Sequence, residues 1–154
     1  MSGGLYWPAE RALIVADLHL EKGSAFAARG RMLPPYDTRE TLTRLAETLD
    51  RLAPELVIAL GDSFHDAGAA ARISGEDKAI LAILQEDRRW LWVTGNHDPA
   101  IPAELGGAVV DAVTIAGLTL RHEPRTGRVT LRLDGAEQGF DCDGVAAKRD
   151  LFDQ

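Results

Sequence analysis

Three short apolar runs, Ala12 to Ala16, Leu56 to Leu60 and Trp90 to Thr94, are rich in Val, Ile or Leu and bounded by turn residues. Such runs suit strands buried on both faces. Between the first two, Leu42, Leu45, Ala46, Leu49 and Leu52 recur at helical spacing over roughly Thr38 to Ala53 and stop before Pro54. Between the second and third, Ser74-Gly75-Glu76-Asp77 makes a near capping box that opens a helix through Ile80, Leu81 and Leu84. Strand, helix, strand, helix, strand predicts a βαβ layer with a parallel sheet. After residue 100 the pattern changes to short candidate strands at Ala108 to Val110, Val113 to Ile115 and Leu118 to Arg121, read as mixed or antiparallel sheet. Val129 to Leu133 alternates as a strand does, and Asp134-Gly135 suits a turn back. No repeat, low-complexity stretch or linker divides the chain, so residues 1–154 are read as one α/β domain.

Composition narrows the chemistry. A chain that is 45% apolar can bury a core at this length, and a net charge of -7 argues against a broad phosphate-binding surface. Bound divalent cations would offset clustered carboxylates locally. The first residues, through Leu5-Tyr6-Trp7-Pro8, lack the basic start and apolar core of a signal peptide, and no stretch approaches a membrane span. The single cysteine, Cys142, excludes an internal disulfide and suits a reducing cytoplasm, the compartment expected here.

Each of the three parallel-strand candidates is followed by a polar cluster: Asp17-Leu18-His19, then Gly61-Asp62-Ser63-Phe64-His65-Asp66, then Gly95-Asn96-His97-Asp98. Loops at the carboxyl ends of parallel strands converge on one sheet edge, so the three clusters are expected to meet. Asp17 and His19 can reach one metal, and Asp62, with two oxygens, can bridge to a second held by the Asn96 amide oxygen. Mixed oxygen and nitrogen donors suit Mn, Fe or Zn better than Mg or Ca. Taken singly, each cluster has a blander reading. Asp-x-His and Gly61-Asp62 are ordinary turn chemistry, and Asn96 can cap a helix started by Pro99. Their joint occurrence, in order, at three strand exits favours a two-metal site in which metal-activated water attacks phosphorus and no serine or cysteine nucleophile is needed.

On these motifs the chain resembles the calcineurin-like metallophosphoesterases, whose ordered motifs are D-x-H, G-D, G-N-H-[DE], a later lone histidine and a final G-H-x-H. Ala16 to Gly23, Gly61 to Asp66 and Leu120-Arg121-His122-Glu123-Pro124 are similar in wording to the bacterial ligase-associated DNA-damage-response phosphoesterases of the PdeM type. The likeness covers about residues 5–125. It implies a sandwich of two mixed β-sheets flanked by helices, and two divalent ions, with Asp17 and His19 on one, Asp62 bridging, and Asn96 and His122 on the other. It also implies that His97 contacts the phosphoryl group and helps protonate the leaving oxygen, with Asp98 as its orienting partner. The activity implied is hydrolysis of a phosphate ester, of the phosphodiesterase or nuclease class, in DNA repair, with a repair ligase or helicase as partner. His65 either lines the substrate cleft or is satisfied by Asp66 or a backbone carbonyl. Lys22 with Arg29 or Arg31, in a loop after the first motif, either meets substrate phosphates or is solvated. Trp90 and Trp92 read as core or cover residues rather than base-stacking platforms.

The pattern breaks after Arg125. All four histidines, His19, His65, His97 and His122, are used by position 122, so the final G-H-x-H motif has no counterpart. Each ion then keeps three protein ligands. Three can suffice with water, at lower affinity. Asp141-Cys142-Asp143 has the spacing of the missing pair, although Asp-rich turns are common surface chemistry. An incomplete second sheet, a shortened or frame-altered ending and an edge covered by a second copy or another partner are the corresponding expectations for residues 126–154. The missing motif also raises an alternative: a metal-binding but catalytically impaired domain that acts through protein partners.

Overall fold

The computed structural model describes residues 4–31, 37–123, 128–133 and 136–141, with those from 123 onward described as backbone. The chain runs through β1 (Gly4–Trp7), β2 (Ala12–Val15), α1 (Lys22–Ala28), α2 (Asp37–Leu52), β3 (Leu56–Leu60), α3 (Ala69–Arg72), α4 (Gly75–Gln85) and β4 (Arg89–Val93). It continues through β5 (Ala108–Val110), β6 (Val113–Ile115), β7 (Leu118–Glu123), β8 (Arg128–Leu133) and β9 (Ala136–Asp141). The first sheet has the order β1-β2-β3-β4-β5 and the second β6-β7-β8-β9. Strands β2 to β5 are mutually parallel and β1 is antiparallel on β2. The second sheet is antiparallel among the described strands.

Period-two alternation within the first sheet generates two cores. Leu13, Val15, Val57, Ala59, Trp90 and Trp92 face the helices, packing on Leu42, Leu45, Leu49, Leu81 and Leu84. Ala12, Ile14, Leu56, Ile58, Leu60 and Val93 face the other way, onto Leu118 and Leu120 of β7. Each of those two leucines is almost fully buried, which stabilises the docking of the second sheet by roughly 1.5–3 kcal/mol apiece. Trp90 and Trp92 are core residues, as expected, and the Trp92 indole N–H donates to the Gly106 carbonyl at 2.9 Å.

One expectation is sharpened and one needs correction. Strand β5, expected in a mixed or antiparallel region, pairs parallel with β4 and extends the first, mixed sheet, Val93 lying beside Val110. Three residues with no alternation carry no information about which sheet they join. Lys22 opens helix α1 rather than lying in a loop, whereas Arg29 caps the end of that helix and Arg31 lies beyond it. The capping box is as expected: Ser74 Oγ accepts from the Asp77 N–H at 3.0 Å. Residues 126–127, 134–135 and 142–154, and the side chain of Asp141, lie outside what is described, and with them the Asp134-Gly135 turn, the Asp141-Cys142-Asp143 substitution and the altered ending. Among the described residues no helix is long and apolar enough to cross a membrane.

Candidate metal centre

Strand pairing continues past the ends of β2 and β3. The Asp17 N–H donates to the Gly61 carbonyl at 3.2 Å, His19 N–H to Asp62 at 3.0 Å and Leu20 N–H to Ser63 at 2.9 Å; the His65 N–H returns to Leu20 at 2.9 Å. This lacing forces alternate residues into left-handed backbone, with φ of 53° at Asp17, 44° at His19, 66° at Glu21 and 47° at Asp62. Such conformations cost on the order of 1–2 kcal/mol each for side chains larger than glycine, and they cluster where a site requires them. The result turns Asp17, His19 and Asp62 toward one point, where one ligand atom from each lies within 4.8 Å of the others.

His122 arrives from the opposite layer. Leu118, Leu120 and His122 alternate along β7 and are all buried, so the periodicity that docks the second sheet also drives the imidazole into the first. Its Nε2 lies 3.0 Å from Asn96 Oδ1 and 3.5 Å from Asp62 Oδ2. Asp62 is therefore common to two groupings, Asp17-His19-Asp62 and Asp62-Asn96-His122. No helix starts at Pro99 among the described residues, and the Asn96 amide oxygen is directed to His122 rather than to a helix cap.

Two glycines make these approaches possible. A Cβ on Gly61, which has φ +75°, would lie 2.2 Å from His122 Cγ; one on Gly95 would lie 2.3 Å from the Asp62 backbone nitrogen. Gly61→Ala is expected to destabilise the fold by about 3 kcal/mol, the sum of left-handed strain and overpacking, as read from urea denaturation. Gly30 supplies the control. It has the same φ, +75°, with open space around it, so Gly30→Ala should cost only about 1 kcal/mol. Equal losses in the two variants would remove the steric argument.

The structure corrects the partnership expected for His97. The Asp98 carboxylate is 1% exposed and spent on backbone: Oδ2 accepts from Ser63 N–H at 2.7 Å and Phe64 N–H at 3.1 Å, and Oδ1 accepts from Gly95 N–H at 3.1 Å. It ties the second cluster to the third. Desolvation raises its pKa above the ordinary carboxylate value, against the pull of the Phe64 and Ser63 N–H groups. His97 is oriented instead by the His65 carbonyl, 2.9 Å from Nδ1, while its backbone N–H donates to Asp62 Oδ1 at 3.0 Å.

His19, His65 and His97 form a ring cluster at the mouth, with centroids 5.3–6.0 Å apart. Burial lowers the pKa of His19 and of His65, and the charge of Lys22 is felt at both in the same direction. Neutral imidazole is the form that ligates metal. Arg29 and Arg31 are exposed. His65 also stacks on Phe26 of α1 at 5.9 Å and 30°, a contact with no signature in the sequence. Asp66 does not satisfy His65; it pairs with Arg72, and although desolvation pushes its pKa up, the hydrogen bonds and charge of Arg72 together with the Gly68 N–H hold it below the usual carboxylate value.

The donor set fits divalent metal. Asp17 Oδ2 and His19 Nδ1 are buried without a hydrogen-bond partner, an arrangement that costs free energy unless something else occupies those lone pairs. Five side chains supplying oxygen and imidazole nitrogen around a shared carboxylate suit first-row transition ions.

Comparison with known proteins agrees with this geometry. Residues 10–147 match the calcineurin-like phosphoesterase family. Among solved structures the chain is similar to the Pseudomonas putida nuclease MPE, at 31% identity and a TM-score of 0.61, over 81% of this chain and 60% of that one. The chain thus spans 60% of the length of that nuclease. No curated protein matches it. With the ordered clusters at three strand exits, the two-layer fold and a family match over most of its length, the chain belongs to the calcineurin-like phosphoesterases.

Proposed function

We propose that this chain is a metal-dependent phosphodiesterase of the nuclease class, with Asp17, His19 and Asp62 holding one divalent ion and Asp62, Asn96 and His122 a second. The observation that carries the reading is the shared Asp62, within ligand distance of Asp17 and His19 on one side and 3.5 Å from His122 Nε2 on the other. Ions held there supply activated water and neutralise charge on the phosphoryl oxygens. The protein side chains do the rest.

His97 is exposed at the mouth, and its Nδ1 faces a carbonyl, which only accepts; the ring proton therefore sits on Nδ1. In the imidazolium form Nε2–H donates to the phosphoryl group and then to the leaving oxygen, while the Nδ1–H bond to His65 is kept throughout. His65, beside His97 and His19, lines the approach. Asp98 fixes the spacing of the clusters from beneath. Likeness to a nuclease, and the wording shared with the ligase-associated group, support a nucleic-acid phosphodiester as substrate and DNA repair as setting.

A second reading is a metal-binding domain with impaired catalysis. Equilibrium titration with Mn(II) beside turnover of bis-p-nitrophenyl phosphate separates the two. Two ions per chain, with turnover removed by chelator and restored by Mn(II), is the expected result. Ions bound without turnover would establish the impaired domain, and no binding would end both readings.

A further inference from the structure

Arg72, the last residue of α3, stands outside both donor groups. Its Nη2 donates to both oxygens of Asp66, at 2.8 and 2.9 Å, and its Nε donates to Ser24 Oγ on α1 at 3.0 Å. Those two anchors flank the ring cluster. Asp66 follows His65 directly, and Ser24 is two residues from Phe26, which stacks on the His65 ring. A planar guanidinium reaches a carboxylate and a hydroxyl in fixed directions at once, which an ammonium on a flexible stem does not. The space for it is reserved. A Cβ on Gly68 would lie 2.8 Å from Arg72 Nη1, and the Gly68 N–H itself donates to Asp66 Oδ1 at 2.9 Å.

We infer that Arg72 is a positioning residue: by bracing the His65-Asp66 segment against α1 it sets the His65 ring between Phe26 and the approach to the centre. The inference rests on His65 facing substrate, as in the reading above. Both partly exposed side chains of the pair are held by several hydrogen bonds, which distinguishes this pair from single-contact surface pairs such as Lys78–Glu104. The function of the brace is geometric. A displacement of about 1 Å at a substrate-facing group costs up to roughly a hundredfold in rate.

The test uses the full chain with Arg72→Ala, Arg72→Lys and Gly68→Ala, the last displacing the guanidinium without deleting it. With four histidines in the chain, the His65 Hε1 resonance is identified by its loss in His65→Ala. In metal-free or zinc-loaded protein, all three variants are expected to move that resonance as the Phe26 ring current is lost. For bis-p-nitrophenyl phosphate, kcat in Arg72→Ala is expected to fall roughly tenfold to a hundredfold, with KM and Mn(II) stoichiometry unchanged. In the double variant with His65→Ala, the Arg72 change should add about twofold or less, because it acts through the missing ring. An unmoved His65 resonance overturns the inference, and so do losses that multiply in the double variant or that track loss of Mn(II). If the unsubstituted chain does not turn over, the phosphodiesterase reading has failed and the resonance alone decides the role of Arg72.

Discussion

Asp62→Asn is expected to cut turnover of bis-p-nitrophenyl phosphate at least about a thousandfold while leaving the chain folded. Asp62 is the one side chain common to both donor groups, within reach of Asp17 and His19 on one side and 3.5 Å from His122 Nε2 on the other. Loss of its charge weakens both groups together, and the stabilisation a bridged ion pair gives a phosphoryl transition state is worth several kcal/mol, or about a factor of ten per 1.4 kcal/mol. Asparagine is the informative substitute. It tolerates the left-handed backbone at this position and retains an oxygen for the His97 N–H, so the fold is not what is tested. Steady-state kinetics, a Mn(II) titration and a thermal melt on the same preparation are sufficient. Activity within tenfold of the unsubstituted chain would mean that Asp62 is not the bridge.

The second large effect falls on stability. Asp98→Ala leaves the N–H groups of Ser63, Phe64 and Gly95 without their acceptor at a position that is 1% exposed. An unsatisfied buried donor costs about 1–3 kcal/mol, so the three together are expected to remove about 3 kcal/mol or more, even with water entering the cavity. For a domain of this size that is a fall in Tm of about 10 °C. Asp98→Asn, which keeps one acceptor oxygen, should fall between. Were Asp98 instead the partner that orients His97, Asp98→Ala would lower turnover with little change in Tm, and the melt distinguishes the two.

Strands β2, β3 and β4 were legible because buried parallel strands are unbroken apolar runs, and the clusters after them were legible because such strands deliver their exits to one edge. The meeting of Asp17, His19, Asp62 and Asn96 needed only that topology, whereas His122, on a strand of the other sheet, was reached through the family resemblance. Helix α1 was not legible. Lys22 to Ala28 contains Gly23 and small residues with no amphipathic face, and it is held from outside: the Glu21 N–H donates to Thr38 Oγ1 at 2.8 Å and the Gly23 N–H to Asp37 Oδ2 at 3.0 Å. Phe26 and the bracing of Arg72 against α1 stayed hidden for the same reason, since His65 and Ser24 are distant from them in sequence. Asp98 misled because a carboxylate next to a histidine suggests that histidine as its partner, and only the fold reveals three N–H groups closer by. Gly61 and Gly95 were visible as motif letters, but the ring and the backbone that demand them come from other strands.

The route by which His122 enters the centre makes its two halves unequal. Asp17, His19 and Asp62 hang from neighbouring strands of a single sheet and are laced by backbone hydrogen bonds, so their half is intrinsic to one layer. Asn96 and His122 come from different layers, and their half exists only while Leu118 and Leu120 keep the sheets in contact. If two ions bind as proposed, the first position would rest on one layer alone and the second would report on an interface. Perturbations far out on the second sheet, with no atom near phosphate, would then be felt as vacancy at one position and not at its neighbour. The order of filling would be set by architecture as much as by the affinities of the ligands.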